Sequence, residues 1–291
     1  MRWARSLAVV WLAGCDEPGS VEPPVDDPHA CAIHHDEDGD QIDDFCDNCP
    51  TVANPDQRDT TEQRLRAFPD GVGDACDLWP SLGGDLVAHL HRFDDPAADA
   101  ALWTGSGWTV SGDAAHATGA AHWTIKKPAI GSGLGARAAV TSLAMEVGGE
   151  LALAVDGDGL AFGYLCAVVR DRDGDGFDEL ELREALGTPV RKSLGIALTP
   201  ADGFTLSATR FLDSLDHATL TCRVQRGTHV ATLHVAVADD QIGIYAMASL
   251  GATAEVSSLI VYTQPVSQCP TAARCNSGSA AGVAQPTSAS D

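Results

Sequence analysis

The sequence predicts an all-β fold, an antiparallel sandwich, over residues 85–265, and three observations predict it. Short runs rich in Val, Leu, Ile, Ala and Thr recur through this region. Gly, Asp and Pro break them at intervals that suit turns. No long segment shows helical periodicity, and residues 213–217 have room for one helical turn at most.

The runs, in order, are 85–92, 136–147, 160–170, 177–183, 204–211, 217–226, 230–237, 242–250 and 256–263. In the third, Phe162, Tyr164, Cys166 and Val168 share one face by period-two alternation. In the sixth, Leu220, Cys222 and Val224 do the same. Both cysteines therefore point toward the core, which allows a buried staple worth about 2 to 5 kcal/mol.

The rest of the chain differs in composition. Residues 16–30 are rich in Pro, Asp and Glu and read as a flexible stalk, carried in a 15–30 segment. Residues 31–79 contain little that forms a core. Residues 266–291 return to Ser, Ala, Pro and Thr and read as a low-complexity tail. The formal charge is -23 over 291 residues and is uneven. Between residues 16 and 80, 18 acidic side chains face 3 basic ones. With no basic patch to follow a phosphate backbone, nucleic acid is excluded as a partner.

Residues 1–14 read as a targeting segment. Arg2 and Arg5 precede a short apolar stretch, and Leu12-Ala13-Gly14-Cys15 follows. This resembles the lipobox of bacterial lipoproteins, which implies cleavage before Cys15 and acylation of its thiol. At about 0.8 kcal/mol per buried methylene, two or three acyl chains form a stable anchor. The expected location is the cell envelope outside the cytoplasm, tethered by lipid alone. Asp16 resembles the inner-membrane retention signal of enteric bacteria. Setting Cys15 aside leaves eight cysteines, an even number suited to an oxidising compartment. Eight cysteines admit on the order of 100 pairings. Proximity and pattern favour Cys31 with Cys46, Cys49 with Cys76, Cys166 with Cys222, and Cys269 with Cys275.

Asp36, Asp38 and Asp40 stand at positions 1, 3 and 5 of a loop, with the Ile42 carbonyl at 7 and Asp47 at 12. That spacing gathers hard oxygen ligands for Ca²⁺. With Asn54-Pro55-Asp56-Gln57 and the 70–77 stretch, residues 31–77 resemble thrombospondin type 3 repeats. The resemblance implies an irregular segment wrapped around Ca²⁺ and stapled by disulfides. Two departures stand out. Gln41 occupies position 6, where a permissive Gly is usual. In the second loop Asp70, Asp74 and Asp77 are present, but Phe68 and Arg66 fill positions 3 and 1. An insertion separates Asp59 from Asp70, and Asp59 or Glu62 could return as ligands only by looping back. One sound site and one degraded site are expected, with Kd on the order of 10⁻⁴ to 10⁻³ M.

Phe93-Asp94-Asp95-Pro96, Trp103, Trp108-x-Val110, the closing Ile242-Gly243-Ile244-Tyr245 and the 256–262 run resemble a laminin G or concanavalin A-like jelly roll. Lectins, adhesion modules and glucanases share that scaffold, so the fold does not choose among them. A second acidic loop lies inside this region. Asp171, Asp173 and Asp175 take positions 1, 3 and 5, Gly176 takes 6 and Glu179 takes 9, which resembles calcium-binding hairpins of integrin-type repeats.

Glu179-x-Glu181-x-x-Glu184 resembles the acidic strand of laminarinase-type hydrolases, with Glu for the middle Asp. Six Trp, three Tyr and seven Phe are few for a sugar-stacking cleft, so a non-catalytic, exposed charged strand is expected. His34 with His35, and His89 with His91, lack a third ligand at metal spacing. The expected function is a calcium-binding, lipid-anchored envelope protein that displays a glycan-binding or protein-binding sandwich. Loops at the sandwich rim are the expected ligand site. A polysaccharide hydrolase on the same scaffold and a purely structural envelope protein are the alternatives.

Overall fold

The computed structural model describes residues 35–60, 69–79, 85–125, 133–155, 163–184, 187–212, 218–237 and 245–264. From residue 85 onward the described chain is almost entirely antiparallel strand. The strands are β1 (Leu86–His91), β2 (Trp103–Val110), β3 (Ala115–Ile125), β4 (Gly133–Val155), β5 (Tyr164–Arg170) and β6 (Asp178–Glu184). They continue with β7 (Val190–Ser193), β8 (Phe204–Leu212), β9 (Ala218–Arg226), β10 (His229–Val237) and β11 (Tyr245–Gln264). One short helix, α1 (Pro96–Leu102), interrupts them.

Two long strands organise the sandwich. Over most of their length β4 and β11 pair with each other, and both pass from one layer to the other. The first half of β4 pairs with β8, and the end of β11 pairs with β1. These make the first layer, in the order β1-β11-β4-β8-β9-β10. The second half of β4 pairs with β5, and the start of β11 pairs with β3. These make the second layer, β2-β3-β11-β4-β5-β6-β7. The crossing between layers uses two glycines. A Cβ on Gly149 would meet the Gly251 carbonyl oxygen at 2.4 Å, and Gly251 takes φ +57. Only residues without side chains allow the two backbones to pass this closely. The sequence presents β11 as two runs, 242–250 and 256–263, because Gly251 reads as a turn. It is instead a bulge, where the register slips between Ser249 and Ala252.

Inward-facing residues alternate as the period of a strand requires. Leu206 and Ala208 of β8, Leu220 and Val224 of β9, and Val168, Leu180 and Leu182 of β5 and β6 meet in one core. Cys166 on β5 and Cys222 on β9 face each other across it and form a disulfide with Cα atoms 5.2 Å apart. The expected inward direction of both cysteines holds.

At one end Trp103, Trp108, Trp123, Phe93 and Tyr245 cluster, and His91 fits between them, 3% exposed and hydrogen-bonded to the Tyr245 hydroxyl. His91 is thus a core residue. The sequence reading missed α1. Its signal was local: Asp95 accepts from the Ala97 and Ala98 amides as N-cap, and Pro96 opens the first turn.

Residues 35–60 and 69–79 form no regular elements. They do form a small core, contrary to expectation. Cys49, Val72, Cys76 and Trp79 pack on Ile260 and Tyr262, which face outward from β11, with Leu90 and Phe211 at the margin. Too short to bury much of itself, the segment uses an outer face of the sandwich. The Cys49–Cys76 disulfide lies in this contact.

Candidate metal and ligand sites

The first acidic loop is shaped by its own amides. The Gln41 N–H donates to Asp36 Oδ2 at 2.9 Å, the Asp40 N–H to Asp38 Oδ1 at 3.2 Å, and the Ile42 N–H to Asp40 Oδ1 at 3.0 Å. Gly39 and Gln41 take φ +77 and +76. The loop on the sandwich repeats this pattern. The Gly176 N–H donates to Asp171 Oδ1 at 2.7 Å, the Asp175 N–H to Asp173 Oδ1 at 3.2 Å, and the Phe177 N–H to Asp175 Oδ1 at 2.8 Å. Gly174 and Gly176 take φ +80 and +86. Two unrelated stretches thus reach one local geometry, and in each the three carboxylates offer oxygens within 4.8 Å of one another.

Among the described residues, no basic side chain pairs with any of these six aspartates. Asp38 Oδ2 is buried without a hydrogen-bond partner. Burial, then the charges of Asp40 and Asp47, push the Asp38 carboxyl up to about 7. Burial likewise raises Asp47, which accepts from the Cys49 amide and the Gln57 side chain. Asp40 also accepts from the Asn54 amide, which ties the loop to the following turn. A buried, unpartnered carboxylate oxygen beside two more carboxylates matches the oxygen set that Ca²⁺ requires.

The second repeat loop departs from its contiguous reading. Asp70 accepts from the Val72 amide at 3.0 Å, the same bond that Asp40 makes with Ile42. Gly71, at φ +92, donates to Asp59 Oδ2 at 2.9 Å. Asp59 therefore stands where Asp36 and Asp171 stand in the other loops, across the insertion in sequence. Asp77 accepts from the Trp79 amide as Asp47 does from Cys49. Asp74 is turned to the Thr60 amide and hydroxyl. Arg66 and Phe68, the residues contiguous counting puts at positions 1 and 3, lie outside the described residues, as does Glu62. Cys46 is disulfide-bonded, while Cys15, Cys31, Cys269 and Cys275 lie outside them.

The acidic strand β6 is buried, which corrects the expectation of an exposed charged strand. Leu180 and Leu182 face the core, so Glu179 and Glu181 face out, yet they are 1% and 0% exposed. The loop ahead of β6 and strand β7 cover them. Glu179 accepts from the Arg172 and Asp173 amides, and burial raises its carboxyl. Glu181 is held by Arg191, Arg183 and Arg172, which outweigh its burial and lower it. Glu150 shares Arg172 and Arg183. The β5–β6 register is unbroken, with Glu184 opposite Tyr164. Glu184 therefore has the opposite parity to Glu179 and Glu181.

A cleft of about 850 Å³ opens between the N-terminal segment and the outer face of the first layer. Its floor is β4, β8 and β9, and its wall includes Glu37, Asp38 and Asp77. Hydroxyls dominate the floor: Thr141, Thr205, Ser207, Thr209 and Thr221. The sequence reading looked to rim loops for a ligand site and did not single out this face. The alternation of Thr and Ser with Leu and Ala along β8 was the available signal.

No helix among the described residues is long and apolar enough to cross a membrane. The two described disulfides fit an oxidising compartment. No family model and no curated protein matches the sequence. Solved structures of similar architecture include a legume lectin-like domain from Entamoeba histolytica, at 12% identity and TM-score 0.47, over 58% of this chain and 93% of that one. Another is the lumenal domain of VIP36 bound to Ca²⁺ and Man3GlcNAc, at 11% identity and TM-score 0.43, over 60% and 89%. A third is a Bacillus licheniformis beta-glucanase, at 9% identity and TM-score 0.42, over 60% and 97%. At these values the similarities assign neither ligand nor activity; the strand pairing itself makes this chain an antiparallel jelly-roll sandwich.

Proposed function

We propose that this chain is a calcium-binding module of the cell envelope, anchored through acylated Cys15, whose sandwich binds a saccharide without cleaving it. One observation carries the calcium reading. Asp36, Asp38 and Asp40, and again Asp171, Asp173 and Asp175, converge with no basic partner and with the same amide pattern. Like charges held this close repel unless a cation lies among them. The Ile42 carbonyl and Asp47 complete the first set, with Glu179 beside the sandwich loop.

The saccharide reading rests on the hydroxyl-lined cleft. The non-catalytic reading is supported by β6, where backbone amides and three arginines occupy the two outward carboxylates.

Calorimetric titration with Ca²⁺, with thermal unfolding in chelator as a companion, tests the calcium reading. The expected result is a saturable isotherm and a melting temperature that rises with Ca²⁺. Identical melting in chelator and in millimolar Ca²⁺ would defeat it. For the anchor, metabolic labelling with palmitate should be lost in Cys15→Ser.

A further inference from the structure

The outer face of the first layer carries a charge pattern that Ca²⁺ does not explain. Arg137, Ser207 and Arg223 lie in one cross-strand row, since Arg137 pairs with Ser207 and Ser207 with Arg223. Neighbours of Arg137 (Ala136, Ala138) and of Arg223 (Cys222, Val224) face the core. Both arginines therefore extend from the outer face, two strands and so ~10 Å apart at the backbone. Both line the cleft.

Neither has a carboxylate partner among the described residues, in a chain of net charge -23. Arg58, Arg92, Arg170, Arg172, Arg183, Arg191 and Arg226 are all ion-paired. Arg137 Nη1 is buried with no hydrogen-bond acceptor, while its guanidinium lies 6.0 Å from the Tyr262 ring centroid. Arg223 bonds only to the Gln225 side chain. Burial and the neighbouring charge of Arg137 hold the Arg223 guanidinium below the ordinary arginine range. A fold that pairs seven other arginines and sets these two together has left an acceptor to be supplied from outside.

We propose that Arg137 and Arg223 bind the carboxylate or sulfate group of an acidic saccharide, whose hydroxyls meet the Thr and Ser floor of the cleft. The inference rests on the saccharide reading above and names its chemical class. Planar guanidinium groups match these oxyanions in a two-pronged fashion. The floor between them is hydroxyl-bearing rather than apolar, which suits a sugar ring better than peptide side chains. Asp38 lies both on the cleft wall and in the first acidic loop. Ca²⁺ held by Asp36, Asp38 and Asp40 would add positive charge at that wall, so acidic-sugar binding is tied to the metal through a shared residue.

Calorimetry on the full chain in millimolar Ca²⁺ tests this with trigalacturonate, a sulfated heparin disaccharide, neutral laminaritriose and an oligoglutamate peptide. At least one acidic sugar should bind, about tenfold or more tightly than laminaritriose, and the better of the two identifies carboxylate or sulfate. Arg223→Gln should weaken that binding on the order of tenfold or more, with an unchanged melting temperature because the side chain bonds only to Gln225. Arg137→Lys, which retains the charge and the stem over Tyr262 but loses the fork, should weaken it too. Equal affinity of wild type and Arg223→Gln overturns the site. Laminaritriose binding as tightly as the acidic sugars overturns the anion while leaving the saccharide reading standing. Binding of oligoglutamate alone, or of no probe, overturns both.

Discussion

Asp38 holds its proton into the neutral range because burial and two neighbouring carboxylates disfavour its charge. Its folded value, about 7, lies above the ordinary 3.8. The native state therefore keeps a proton that the unfolded chain releases, and metal-free stability falls as pH rises from about 4 to about 7. Calcium must displace that proton, so its affinity should rise with pH over the same range and level off above it. Asp38→Asn should raise the melting temperature in chelator and lower it, relative to wild type, in millimolar Ca²⁺. Melting curves in the two conditions check for this crossing. Gln41 illustrates a different residue-scale effect. Its φ of +76 costs a side chain about 1 kcal/mol that Gly avoids. Gln41→Gly should therefore raise the melting temperature in Ca²⁺ by a few degrees, read by calorimetry. Both residues were legible in the sequence, since Asp at positions 1, 3 and 5 and a non-Gly at position 6 are properties of spacing. Asp59 was only half legible, because nothing in the intervening sequence says that it returns beside Gly71.

At the scale of elements, runs of alternating residues announced most strands, and the cysteines on β5 and β9 announced their own direction. Breaking the Cys166–Cys222 link with a double Ala substitution should cost about 2 to 5 kcal/mol by denaturant unfolding. The strands that went unread, β2, β3 and β7, are rich in Gly, Thr, His and charged residues, and draw their stability from neighbours rather than propensity. The N-terminal segment depends on close approach. A Cβ on Gly73 would meet Asn48 Oδ1 at 2.4 Å and Cys49 Sγ at 2.7 Å. The disulfide leaves that sulfur little room to yield. Gly73→Ala should thus destabilise the segment by about 1 to 3 kcal/mol, seen as faster proteolysis between Cys49 and Cys76.

Across the whole molecule, the segment and the sandwich share a core at Trp79, Ile260 and Tyr262. Sequence patterning could not show this, because Leu259-Ile260-Val261-Tyr262 is an unbroken apolar run in which no alternation separates the two faces. Shared packing couples unfolding, so calcium bound to the segment should also protect the sandwich. Trp79→Ala should split one thermal transition into two, with only the lower one responding to Ca²⁺. A single calcium-sensitive transition in that variant would show that the coupling runs elsewhere.

The pairing of β4 with β11 has a consequence for how the protein is made. Neither layer closes until its central strand arrives, and that strand is contributed by residues 245–264, after every other strand of the sandwich. Strands made earlier therefore keep hydrophobic faces open until residues 245–264 arrive, which favours slow closure and exposure to aggregation. Polypeptides released before residue 245 should be degraded or aggregate, however much of the sandwich they already contain.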